Sequence, residues 1–114
     1  MLSSAERKEI NRKFKERKPA VGVFAVRCTA SGAAWVGASR NLDATKNQLW
    51  FALRLGVHRD PSLQQEWNAR GAAAFRYEIL EKLDEDVSAL AVADLLKEKR
   101  RGWIEELGAR AVLA

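Results

Sequence analysis

The chain has 114 residues, 47% of them hydrophobic, with four Trp, four Phe and one Tyr, which suits one domain with a real core. No run approaches the roughly 20 apolar residues of a membrane span, so no membrane partner is expected and a cytoplasmic location is. One Cys and one His exclude an internal disulfide and argue against a Cys/His zinc cluster. The net charge is +5, and residues 1–18, with seven basic and three acidic side chains, hold most of it. Such an arm attracts polyanions, because each phosphate contact releases condensed counterions.

In chain order, Ser3-Ser4-Ala5-Glu6 reads as a capping box. A helix is expected to follow to about Arg17, with Ile10 and Phe14 facing inward and Pro19 ending it. Residues 21–28 form a strand with Val21, Val23 and Ala25 on one face and Phe24 and Val26 on the other. Thr29 to Gly32 turns the chain, and Ala33 to Ala38 returns it as a second strand. A helix opens at Ser39-Arg40-Asn41 and runs to about Leu55, with Leu42, Leu49 and Leu53 on its inward stripe and Gly56 as its cap. His58 to Pro61 is a loop, and Ser62 to Ala69 a short helix with Leu63 and Trp67 at i,i+4. Phe75, Tyr77 and Ile79 alternate with Arg76, Glu78 and Leu80, the pattern of a half-buried strand. A last helix covers about Val87 to Leu107, with Val92, Leu96, Trp103 and Leu107 on one stripe. The acidic run Glu78, Glu81, Asp84, Glu85 and Asp86 suits a strand end and the start of that helix.

The fold class is therefore α/β (α+β), a small three-stranded antiparallel sheet flanked by helices in the order α-β-β-α-α-β-α. Residues 1–18 are expected as a basic N-terminal helix or arm, 19–108 as the domain and 109–114 as a C-terminal tail.

Several landmarks coincide on this framework. Gly22-Val23-Phe24 and Trp35-Val36-Gly37 lie on the hairpin, followed by Ala38-Ser39-Arg40-Asn41-Leu42, Leu55-Gly56-Val57-His58, Leu63-Gln64, Trp67-Asn68 with Gly71, the segment Phe75 to Glu81, and Trp103-Ile104. In this order and spacing they resemble the GIY-YIG nuclease family over about Pro19 to Leu107. The resemblance implies a nuclease-like domain that handles nucleic acid, DNA above all, with a divalent metal, Mg or Mn, where cleavage occurs.

The residues that the resemblance places in the catalytic site depart from the family. Its first tyrosine is Phe24, which carries no hydroxyl to take or give a proton. Its second is Trp35, whose indole is a donor only. Its arginine is Thr45 and its metal-binding glutamate is Arg100. No catalytic or metal-ligating residue is assigned. The reading is a catalytically impaired nucleic-acid-binding module, whose nucleic-acid contacts are expected from Arg40, Lys46, Asn47, Arg54, His58 and Arg59 and from Lys13, Lys15, Arg17 and Lys18 of the arm. Trp35 is weighed both as a base-stacking group and as core. Two alternatives stand beside this reading. One is an active endonuclease with an altered metal-dependent site that uses Lys46, His58, Glu98 or Glu105; the other is a protein-interaction or regulatory module that retains the fold.

Overall fold

The computed structural model describes residues 19–112. The expected N-terminal helix with Ile10 and Phe14, and the arm residues Lys13, Lys15, Arg17 and Lys18, lie outside the described residues.

Strand β1 spans Gly22–Cys28 and β2 spans Ala34–Ser39. They pair antiparallel with Phe24 opposite Gly37 and Val26 opposite Trp35. Gly32 N–H donates to Cys28 O at 2.8 Å to close the hairpin. Helix α1 spans Leu42–Leu55, α2 spans Pro61–Arg70, and a single 3-10 turn, Ala72–Ala74, leads into β3, Phe75–Lys82. Helix α3 spans Ala89–Leu107. Each helix begins at a residue whose side chain accepts from an otherwise orphaned amide: Asn41 from Ala44, Asp60 from Ser62 and Leu63, Ser88 from Ala91. The helix at the hairpin's exit thus starts at Leu42, with Asn41 as its cap rather than its first turn.

The sheet has four strands in the order β3-β1-β2-β4. The fourth, β4 (Arg110–Ala111), pairs in parallel with β2, Trp35 opposite Arg110 and Val36 opposite Ala111. Residues 110 and 111 were expected within a C-terminal tail; Gly108 instead ends α3 and the chain returns along the sheet edge, where Val112 N–H donates to Val36 O at 2.9 Å. A two-residue parallel strand carries no alternation pattern of its own, and its place is set by where α3 stops.

The two faces of the sheet bury separate clusters. Phe24, Val26, Cys28 and Trp35 pack with Leu42, Leu49 and Leu53 of α1, Leu63 and Trp67 of α2, and Phe75. On the opposite face Val23, Ala25 and Val36 meet Leu80 and Trp103, Ile104 and Leu107 of α3. Leu42, Leu49 and Leu53 recur at helical spacing, so one stripe is buried at about 1.5–3 kcal/mol per fully buried side chain. A bulge in the β1–β3 ladder lets Val23 face Glu81 and Phe24 face Ile79. The bulge brings Glu81 to the face of Val23, where its carboxylate accepts from Trp103 Nε1–H at 3.1 Å. Ile79 keeps the face of Phe75 and Tyr77 but is 41% exposed, and Leu80 joins the second cluster by alternation.

Two glycines permit close approaches. A Cβ on Gly22 would lie 2.0 Å from the carbonyl oxygen of Glu81, and one on Gly37 would lie 2.5 Å from Cζ of Phe24. The first glycine of one tripeptide and the last of the other are thus required by backbone packing and by the Phe24 ring.

Candidate functional site

Where α1, the loop after it, the β2 edge and α3 come together, a cleft of about 380 Å³ opens to solvent. Phe24 and Gly37 form its floor, Thr45, Gln48, Leu49 and Ala52 the α1 wall, and Val57, His58 and Arg59 its loop side; Arg100 reaches it from α3 and Val112 from the chain beyond β4. Three of the four positions to which the resemblance points therefore meet. Spacing along the sequence places Phe24, Thr45 and Arg100 in one hollow, and none of the described residues lining it is a carboxylate.

Trp35 is the fourth position, and it is not in the cleft. It shares the face of Phe24 and Gly37 but sits two residue pairs further along the hairpin, under α2, and is 1% exposed. Its indole N–H donates to Ser62 Oγ at 2.8 Å. Base stacking by Trp35 is therefore excluded by burial. The strand pattern announces the correct face but not that α2 covers this end of it.

Phe24 is 3% exposed and stacks on Tyr77 with ring centroids 5.2 Å apart. Tyr77 is the chain's one tyrosine, and its hydroxyl donates to the carbonyl of Leu42 at 2.8 Å. Burial first, and the negative charge of Asp43 second, push its pKa up to about 12. Its proton is committed and hard to remove, so it does not replace the hydroxyl that Phe24 lacks. Thr45 Oγ1 shares a hydrogen bond with Ser39 Oγ at 2.5 Å, which ties α1 to the end of β2.

His58 is held on both sides. Its amide donates to Gln64 Oε1 at 3.0 Å, and Gln64 Nε2 donates to Leu53 O at 3.1 Å and to Asn68 Oδ1 at 3.0 Å. The amide of Asp60 donates to Nδ1 of the imidazole at 2.9 Å, which leaves Nε2 as the ring's proton-bearing nitrogen in the neutral form. Burial lowers the pKa of His58, with the nearby charge of Asp60 opposing. Asp60 is itself buried and accepts from Ser62 N–H at 3.1 Å, Ser62 Oγ–H at 2.8 Å and Leu63 N–H at 3.2 Å. A chain of hydrogen bonds runs Trp35–Ser62–Asp60–His58 from the core to the cleft. Ser62 and Asp60 carried no motif in the sequence; the one available signal was Asp60-Pro61, a helix-start pair.

Of the expected nucleic-acid contacts among the described residues, His58 and Arg59 line the cleft. Arg40, Lys46, Asn47 and Arg54 are exposed but do not. On α1, Lys46, Asn47 and Arg54 lie about 100°, 200° and 180° around the helix from Thr45, away from the cleft wall. Glu98 and Glu105 do not line the cleft either, because they point around α3 from Arg100. Among the described residues no helix is long and apolar enough to cross a membrane, and no three His, Cys, Asp or Glu side chains cluster.

Gln48, Ala52 and Val57 were missed as lining residues; no chemistry in their side chains points to them, and only the helical spacing of 45, 48, 49 and 52 could have found two of them.

No family model matches the chain, and no curated protein matches it. Among solved structures, it is similar to the catalytic domain of the homing endonuclease I-TevI, at 22% identity over 82% of this chain and 99% of that one, with a TM-score of 0.69. It is also similar to a point mutant of the catalytic domain of the intron endonuclease I-TevI, at 25% identity over 78% of this chain and 84% of that one, with a TM-score of 0.66. With the hairpin tripeptides, the α1 and α2 landmarks and the third strand in matching order, this chain has a GIY-YIG nuclease-like fold.

Proposed function

We propose that this chain is a nucleic-acid-binding module with impaired catalysis, acting on DNA in the cytoplasm. One observation carries the reading: Phe24, Thr45 and Arg100 share a cleft with His58 and Arg59, and no carboxylate of the described residues lines it. Guanidinium groups in a concave, partly apolar site suit a phosphate group, two oxygens of which a guanidinium can hold through two parallel hydrogen bonds. The endonuclease neighbours support nucleic acid as the ligand class.

The same residues do not fit the divalent ion that the family resemblance implies. Hard cations take oxygen ligands, carboxylates above all. The position that would supply one is Arg100, a fixed positive charge that repels the ion. Loss of a general base costs roughly 10²–10⁴ in rate and loss of one electrostatic stabiliser about 10²–10³. Together these losses leave a binding site rather than a catalyst of the family's kind.

Fluorescence anisotropy of a labelled DNA duplex tests the reading. Affinity is expected to fall steeply between about 50 and 200 mM salt, and supercoiled plasmid is expected to remain intact with Mg²⁺ or Mn²⁺. A flat salt response would overturn binding by this surface.

One observation favours a second reading, a working endonuclease with an altered site: His58 stands in the cleft with a lowered pKa, as a neutral acid–base group would. Metal-dependent nicking that disappears in His58→Ala would select it.

A further inference from the structure

Beside the cleft, α1 presents an apolar ridge to water. Phe51 is 66% exposed, Leu55 59% and Val57 66%. Phe51 and Leu55 lie at i,i+4 and so share one face. From Ala52 on the cleft wall, Leu55 lies about 60° and Phe51 about 100° further around the helix. Val57 is both a member of the ridge and a lining residue of the cleft. The apolar surface is thus continuous with a hollow that holds Arg59 and Arg100, and Arg54 stands exposed one turn along from Phe51.

We infer that the ridge is a stacking platform for unpaired bases, with Phe51 as its aromatic plane, and that the cleft and ridge together take single-stranded nucleic acid. This inference rests on the proposed nucleic-acid reading and names the form of the ligand. An exposed ring beside guanidinium groups matches the chemistry of a single strand, which offers a π-face and a phosphate at each nucleotide. A paired duplex offers only phosphates at this distance, because its base faces are stacked on one another. The charge decides between occupants: a ridge built for another protein's apolar face has no use for the guanidinium of Arg100 in an adjoining hollow whose described lining holds no carboxylate.

Anisotropy with the full chain separates the possibilities. The probes are a labelled oligothymidylate, an abasic deoxyribose-phosphate strand of equal length and a duplex of equal length. The wild type is expected to bind the strand with bases about tenfold more tightly than the abasic strand, and Phe51→Ala to abolish that ratio. Phe51→Trp is expected to keep it and to show fluorescence quenching of the new indole on binding. Phe51 is on the surface, so neither variant threatens folding. An unchanged base-to-abasic ratio in Phe51→Ala would overturn the inference while leaving phosphate binding intact. Sedimentation showing a dimer that Phe51→Ala dissociates would overturn it in favour of a second copy of this chain. Failure of the wild type to bind any of the three probes would bring down the nucleic-acid reading itself.

Discussion

Trp35 Nε1–H donates to Ser62 Oγ at 2.8 Å, and Ser62 passes a hydrogen bond of the same length to the buried carboxylate of Asp60. Trp35, which the resemblance sets at the family's second tyrosine position, is therefore a strut between the hairpin and α2. Trp35→Phe removes the hydrogen bond and part of the ring, and it should destabilise the fold by about 2–3 kcal/mol. Ser62→Ala leaves the indole N–H buried without an acceptor and should cost about 1–3 kcal/mol. The double variant should cost less than the sum, because each change removes the same bond. Urea denaturation of the four proteins measures the coupling, and full additivity would show that the strut contributes nothing as a pair.

Gly37 and Phe24 form the cleft floor by contact. Gly37→Ala places a Cβ where the Phe24 ring lies, and overpacking of this kind should cost about 1–3 kcal/mol. Gly22→Ala meets the rigid backbone carbonyl of Glu81 and should be the more damaging of the two. Thermal unfolding of both variants checks the order, and a wild-type midpoint in Gly22→Ala would show that the β1–β3 ladder can shift.

The contrast between these sites shows what a sequence of this length conveys. Leu42, Leu49 and Leu53 announce α1 because one period repeats within one element. Phe24, Thr45 and Arg100 could be placed together because each lies at a set distance from a landmark on its own element. Trp35 could not be placed, because its burial depends on α2 crossing the hairpin, a tertiary fact absent from the strand's alternation. The same reason hid β4, whose two residues are exposed and acquire a partner only where α3 ends beside β2. Lys46 and Arg54 are singled out by charge and Asn47 by its position near Thr45, and helical geometry turns all three away from the cleft.

The lowered pKa of His58 predicts a pH dependence with a definite sign. The unfolded chain takes up its proton near the ordinary histidine value of about 6.5, and the folded chain only at lower pH. The stability linked to this group is complete above about pH 6.5 and is lost as pH falls through the folded pKa. His58→Gln should flatten that part of a stability–pH curve in urea denaturation. If protonation also adds a cation to the cleft, duplex affinity should rise between pH 7.5 and 5.5 in the wild type and not in His58→Gln.

Tyr77 gives the opposite sign at the alkaline end. Its folded pKa of about 12 stands above the ordinary tyrosine value of about 10. The linked stability is complete below about pH 10 and is lost as pH rises through about 12. Tyr77→Phe should remove this dependence and cost about 1 kcal/mol at neutral pH, because the carbonyl of Leu42 loses its donor. Absorbance of the tyrosinate band during alkaline titration measures the pKa directly, and titration near 10 would mean that the ring is not held against α1.

Arg100→Glu tests whether charge at this one position separates binding from metal chemistry. The substitution inverts a half-buried charge facing Phe24 and Thr45 across the cleft. Duplex affinity should fall by at least tenfold in low salt, roughly the 1–3 kcal/mol of a lost arginine contact, and the salt slope should shrink by about one counterion. The new carboxylate supplies an oxygen ligand, so added Mg²⁺ should recover part of the lost affinity in the variant while weakening the wild type by screening. Nicking should still be absent, because Phe24 offers no hydroxyl and Thr45 no guanidinium. Cleavage by the single variant would show that a metal ligand was the one missing component, and that the remaining cleft is more competent than its side chains imply.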